Sequence, residues 1–301
     1  LKEYHIQTPG IILISQKKPT DMIEFNLSNK VAVITGGAGV ICSAMAKALA
    51  GQGAICAVLD LNGEAAAKVS AEIESESGVP SLGLSANVLD KASLLAAKKE
   101  INDKFGPIDI LVNGAGGNSP AGTTKVEKME GTDNENFDDT FFGLQIEGFD
   151  KVFDINFKGT IIPTMVFATD MVRKKSGVII NISSMNSYRP LTKIAAYSAA
   201  KAAVNNFTQW LAVHFSRTGV RVNAIAPGFL LTNQNRFLMI DEKTGGPTAR
   251  GMKVLNGTPM ERYGIPEELT GTLLYLVSDL SKFVTGVVIP VDGGFSAYSG
   301  V

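Results

Sequence analysis

Histidine and cysteine are nearly missing from this chain of 301 residues, which holds two of each: His5, His214, Cys42 and Cys56. So few imidazoles and thiols argue against a metal site or a disulfide framework. Both cysteines fall in apolar or small-residue stretches, which fits a reduced, cytoplasmic protein. An excess of one charge is missing too. With 28 basic and 29 acidic residues the net charge is −1, which leaves no electrostatic footprint for nucleic acid or an anionic membrane. Clusters such as Lys98-Lys99-Glu100 and Arg173-Lys174-Lys175 read as solvated helix faces. His214, in an amphipathic stretch, reads as a packing residue. Long apolar runs are absent: Ile11-Ile12-Leu13-Ile14 is far short of the roughly 20 residues a bilayer requires, and no small-residue cleavage site follows it. Residues 1–24 are read as an extension of unknown role, with Met22 a candidate natural start.

What is present is a large apolar fraction, 45%, enough to bury a substantial core. Strand-like and helix-like patterns alternate without a compositional break, which predicts one α/β domain over residues 25–301. Its first unit is well marked. Val31-Ala32-Val33-Ile34-Thr35 reads as a buried parallel strand, and Gly36-Gly37-Ala38-Gly39 as a turn. The stretch from Ala44 to Ala50, rich in helix formers, follows. Such a turn lets backbone N–H groups and a helix N-terminus face a pyrophosphate. A second strand, Ala54 to Leu59, ends at Asp60. An acid there suits the ribose 2′-hydroxyl of NAD and repels the 2′-phosphate of NADP.

Further along, Tyr197 and Lys201 stand four apart, thirteen residues after Ser184. On a helix these two positions share a face, so the ammonium can lie beside the phenol. A neighbouring positive charge favours phenolate, and the expectation is a tyrosine moved towards acid/base work near neutrality.

Together these motifs resemble the short-chain dehydrogenase/reductase family. The likeness extends to Asn113-Gly114-Ala115-Gly116 after the strand Ile108–Val112, to Asn156 in Asp154-Ile155-Asn156-Phe157, to Pro227-Gly228 after the strand Arg221–Ala226, and to Val291-Asp292-Gly293-Gly294. It implies a doubly wound parallel sheet of Rossmann type, a small-molecule substrate and a homo-oligomer, either tetramer or dimer. By the same resemblance Tyr197 donates the proton, Ser184 orients the carbonyl oxygen, Lys201 tunes Tyr197 and binds the nicotinamide ribose, and Asn156 holds a water. The cofactor-binding set implied is Gly36, Gly39, Val40, Ile41, Asp60, Asn87, Val88, Asn113, Gly114, Ala115, Tyr197, Lys201, Pro227, Gly228 and Thr232, with NAD as cofactor. Ser183 is left as an ordinary strand-end hydroxyl.

The family pattern is departed from at four places. Val40 and Cys42 stand where the fingerprint Thr-Gly-x-x-x-Gly-x-Gly has glycines, Asn87 where an aspartate is usual, and Gly114 where a second asparagine is frequent. Cysteine is small and tolerates burial; Val40 brings a branched side chain close to the dinucleotide. The stretches Asn181–Asn186, Phe207–Phe215 and Phe295–Val301 resemble the D-mannonate oxidoreductase (fructuronate reductase) branch. That branch implies D-fructuronate and D-mannonate as the substrate pair.

A sugar acid needs a cation for its carboxylate and hydrogen-bonding groups for its hydroxyls. Asn118, Asn186, Arg189, Lys193, Asn233, Asn235 and Arg236 are the candidates. The segment 230–262 reads as a flap over substrate, and 118–148 as a lid or a surface insert. Two other functions stand beside the first: a dehydrogenase for another polyol, sugar or 3-oxoacyl substrate, and a dinucleotide-binding sensor without turnover.

Overall fold

The computed structural model describes residues 25–129, 137–233 and 235–300; the expectations for 1–24, Met22 among them, lie outside the described residues. Seven strands form a single parallel sheet: β1 (Val31–Thr35), β2 (Ile55–Asp60), β3 (Ser81–Ser85), β4 (Ile110–Asn113), β5 (Gly177–Ile182), β6 (Val220–Pro227) and β7 (Val288–Val291), in spatial order β3-β2-β1-β4-β5-β6-β7. Parallel neighbours need long crossovers, and helices supply them: α1 (Val40–Ala50), α2 (Gly63–Ser77), α3 (Lys91–Phe105), α4 (Ile146–Phe153), α5 (Gly159–Arg173), α6 (Ala195–His214), α7 (Arg236–Met239), α8 (Ala249–Asn256) and α9 (Thr270–Val277).

The chain winds outward from β1 to β3 and then returns to lay β4 against the other side of β1. That reversal opens a crevice at the carboxyl ends of β1 and β4, the place where sheets of this kind hold ligands. Thr35 and Asn113, the last residues of these strands, are paired in register there.

Alternation along β1 divides the core between the two faces of the sheet. Ala32 and Ile34 pack with Met45 and Leu49 on one face, while Val31 and Val33 pack with Leu111, Phe167 and Met171 on the other. On α6, Leu211 is buried and Phe207 packs against this second cluster, as does Phe215 just past its end, whereas Trp210 is 57% exposed and stacks on His214. His214 is itself exposed, so this stack lies on the surface of the molecule. No helix among the described residues is long and apolar enough to cross a membrane.

One expectation is corrected here. Lys98 is not on a solvated face: its ammonium lies 2.6 Å from the Asp170 carboxylate, and both side chains are largely buried between α3 and α5. Asp170 also accepts from the Asn102 side chain and the Ile108 amide. Burial alone would raise this carboxyl, but the Lys98 and Asn102 bonds outweigh it and hold the group below its usual range. Lys174 likewise reaches Asp109, at 2.5 Å. Removing one partner of a buried pair strands the other charge, so Asp170→Ala should cost about 3 kcal/mol in a urea unfolding titration.

The segment 118–148 contributes no strand among its described residues. Phe137, Phe141 and Phe142 meet edge to face and are exposed. Glu127 pairs with Lys253 of α8 at 2.9 Å, tying this segment to the 230–262 stretch.

Candidate active site

Gly36, directly after β1, has φ +62, a conformation that favours glycine. A Cβ there would meet the Ala115 backbone at 2.8 Å, so the turn and the loop after β4 press together without side chains between them. Gly39 caps α1, which begins at Val40 and aims its free N–H groups into the crevice mouth. At the end of β2, one Asp60 oxygen accepts from the Ala38 amide at 3.2 Å and the other from Asn62 at 3.0 Å. The acid is therefore already bonded to the glycine turn.

Thr35, fully buried, joins the two walls: its hydroxyl accepts from Gly114 and Ala115 at 3.1 and 3.3 Å and donates to the Val112 carbonyl. Asn113 is held from below. Its amide donates to Thr164 and to Asn181, both at 2.9 Å, and Asn181 in turn donates to Thr208. Val88 is buried and packs near Gly159, Asn87 accepts from the Leu89 amide in a local turn, and Gly228 is pressed against Asp292.

Two departures from the family fingerprint are in contact. A Cβ placed on Gly114 would overlap the Cys42 sulfur, and the Thr35 carbonyl would also stand only 2.9 Å away. Cysteine at 42 is accommodated because 114 is glycine. Burial pushes the Cys42 thiol up to about 12, which keeps it a neutral packing group. Gly114→Ala should therefore destabilise by roughly 2 kcal/mol. Pairing it with Cys42→Gly should recover part of that loss, a non-additivity of about 1 kcal/mol in a double-mutant cycle.

Ser184 follows β5, and Tyr197 and Lys201 lie on α6. The Ser184 side chain is close enough to the Tyr197 phenol to act on it. The Lys201 ammonium lies 5.6 Å from the Tyr197 ring centroid and donates to the Ile182 carbonyl at 2.8 Å. Asn156 sits in a π-helical turn, Asp154–Lys158, between α4 and α5, a wide turn of the kind that often accompanies functional sites. A Cβ on Gly116 would be 2.6 Å from the Asn156 side-chain oxygen and 3.3 Å from the Lys201 ammonium. Gly116, bare of a side chain, thus lets Asn156 and Lys201 approach one another, and Tyr197 lies beside Lys201 on α6.

The electrostatics differ from the sequence expectation. The Tyr197 phenol is raised, not lowered: burial is the larger cause and the Ser184 side chain only partly opposes it. Burial also brings the Lys201 ammonium down to about 8. Lysine was expected to acidify tyrosine, but desolvation penalises phenolate and ammonium alike. Asn156 has a structural task beside the water-holding expected of it. Its amide donates to the Gly117 and Val152 carbonyls, both at 2.7 Å, and its oxygen accepts from the Gly117 amide at 3.3 Å. It pins the loop after β4 to the π-helical turn.

Ser183, by contrast, bonds to Asn205, which also reaches Ser187. The substrate candidates separate. Arg189 donates to the Tyr298 carbonyl at 2.5 Å and so secures the C-terminal tail. Asn235 bonds the Thr232 amide and the Leu230 carbonyl, stapling the start of the flap. Arg236 and Asn233 are exposed. The Lys193 carbonyl accepts from Thr124 and its charge acts on Glu127. Asn118 lines a cavity of about 630 Å³ with Gly117, Asp150 and Ile155. Asn186 is buried beside Ser184.

Thr35, Gly116 and Asn181 were not among the expected site residues. Asn181 had a readable signal, because an asparagine near the end of an apolar run beside another such run, that of Asn113, marks a polar pair inside a sheet.

A doubly wound sheet that sets a serine, tyrosine and lysine beside a glycine turn at its switch point defines an oxidoreductase. The chain belongs to the short chain dehydrogenase family, whose pattern it matches over residues 30–243. It is 54% identical to an uncharacterized oxidoreductase of Haemophilus influenzae, over 92% of this chain and 96% of that protein. With the uncharacterized oxidoreductase UxuB of Bacillus subtilis it shares 50% identity, over 92% and 98% of the two chains. A crystal structure with bound NAD, of a Haemophilus protein provisionally named D-mannonate oxidoreductase, superposes with a TM-score of 0.86 at 53% identity, covering 92% of this chain and 98% of the other.

Proposed function

We propose that this chain transfers a hydride between NAD(H) and a sugar acid, interconverting D-fructuronate and D-mannonate. The observation that carries the reading is the Lys201 ammonium lying between the Tyr197 ring and Asn156, across Gly116 of the loop that presses against the Gly36 turn. The residues fit a dinucleotide. Gly36 leaves no side chain over the crevice, the α1 N-terminus would receive a pyrophosphate, and Asp60 suits the unphosphorylated ribose of NAD. When bound, the dinucleotide supplies or accepts the hydride.

The chain's own groups handle the proton and the placement. In the reductive direction the neutral Tyr197 phenol gives its proton to the carbonyl oxygen, which Ser184 holds by a hydrogen bond. Lys201, bonded to the Ile182 carbonyl beside the Tyr197 ring, would bind the nicotinamide ribose. Asn156 fixes the Gly117 loop, and Thr232 with Pro227-Gly228 would fix the carboxamide. The sugar-acid choice is supported by the 53% identical structure, whose provisional name specifies D-mannonate.

The buried, unpaired Cys42 and Cys56 support a reducing compartment such as the cytoplasm. The exposed Met165, Trp210 and Val213 on α5 and α6 support assembly of identical copies. Loss of NADH absorbance on adding D-fructuronate, with NADPH consumed much more slowly, is the expected assay result. Nucleotide binding without consumption across a panel of sugar acids, polyols and ketones would overturn the enzymatic reading.

A further inference from the structure

Tyr197, Lys201 and Asn205 recur at every fourth position of α6 and so share one face of the helix. That face is fastened to the chain from Ile182 to Ser187, which carries Ser184. The Lys201 ammonium donates to the Ile182 carbonyl at 2.8 Å, and one turn further on the Asn205 carboxamide reaches both sides of Ser184. Its oxygen accepts from the Ser183 hydroxyl, and its nitrogen donates to the Ser187 hydroxyl at 2.7 Å. Ser187 carries the connection back to the serine: its hydroxyl donates to the Ser184 carbonyl at 2.5 Å, and its amide donates to the same carbonyl at 3.0 Å.

A hydroxyl has one proton to donate, which sets the direction of this chain of bonds. With the carboxamide reversed, its oxygen would need the proton that Ser187 gives to the Ser184 carbonyl. Ser183 and Ser184 are buried, and a satisfied polar network in such surroundings specifies one arrangement. Apolar contact would also hold the segment against α6, but it is non-directional. A carboxamide bonded before and after one residue sets the place of that residue along the helix.

We propose that Asn205 is a positioning residue for the reaction: it fixes the segment bearing Ser184 at the height along α6 where the serine hydroxyl and the Tyr197 phenol can meet one carbonyl oxygen. This deepens the oxidoreductase reading and rests on it for the roles of Ser184 and Tyr197. Asn205 acts through the serine and not on the substrate, so its effect depends on Ser184 being there.

The test measures kcat, KM and the NADH dissociation constant of Asn205→Leu and Ser187→Ala, on D-fructuronate and a panel of other ketones, each variant made with Ser184 present and in a Ser184→Ala background. Asn205→Leu keeps the bulk and removes both bonds; Ser187→Ala cuts the same tie from the loop side and leaves α6 intact. With Ser184 present, each variant should lose roughly tenfold to a hundredfold in kcat, the scale set by a misplaced reacting group, and bind NADH as the wild type does. In the Ser184→Ala background the further loss should be no more than about twofold, because a tie that works through the serine has nothing left to place. A merely structural asparagine would cost the same in both backgrounds. That outcome, near-normal kcat in both variants, or NADH binding lost in step with kcat would overturn the inference. The same non-additivity on another ketone, with no turnover of D-fructuronate, would support the role of Asn205 while overturning the sugar-acid assignment, and a wild type that reduces no member of the panel would overturn both.

Discussion

Tyr197→Phe should bind NADH as the wild type does and lose turnover by about 10²- to 10⁴-fold, the usual worth of a positioned proton donor. The ring stays, and with it the contact with Lys201; only the hydroxyl beside Ser184 goes. Fluorescence titration of NADH separates this result from a general loss of structure, and near-normal turnover would remove Tyr197 from the chemistry. A pH profile adds a second readout. Because burial raises the phenol in the free enzyme, the proton-donating form persists through neutrality and above. Ketone reduction, followed as kcat/KM, should hold across that range, while alcohol oxidation should climb as alkali begins to form phenolate.

Lys201→Met should abolish most turnover and yet stabilise the protein without ligand at pH 7. Its folded-state pKa of about 8 lies below the ordinary 10.5, so between these values the unfolded chain binds more protons and stability rises with pH. Below about pH 8 both states are protonated and the full cost of burying the ammonium is present. A shift of this size corresponds to about 3 kcal/mol, less whatever the bond to the Ile182 carbonyl contributes. The methionine variant should thus unfold at higher urea concentration at pH 7, and its advantage should shrink as pH approaches 10.5. A constant difference across that range would show that the lysine is not the titrating group.

The central strands were legible because parallel strands covered on both faces must be apolar throughout. Val31–Thr35 was read with the bounds it has, and the runs at 54–59, 108–112 and 221–226 fall within a residue or two of β2, β4 and β6. The edge strand β3, Ser81-Leu82-Gly83-Leu84-Ser85, carries no such run and gave no signal. Ser184, Tyr197, Lys201 and Asn156 were legible by motif, and the structure sets Lys201 between Tyr197 and Asn156. What the motif did not disclose was how their charges behave, because desolvation depends on everything packed around a group and not on its neighbour four positions away. The burial of Lys98 against Asp170 and the contact of Cys42 with Gly114 escaped for the same reason: each joins residues 72 positions apart.

The Cys42–Gly114 contact also fixes an order of events. Starting from an ancestor with the common glycine and asparagine, a glycine at 114 merely opens a small hollow, which a thiol at 42 can then fill. The opposite sequence passes through an intermediate in which sulfur and side chain compete for one space. Descent through the first route is the passable one, and any campaign that restores family residues singly would discard asparagine at 114 unless position 42 changes with it.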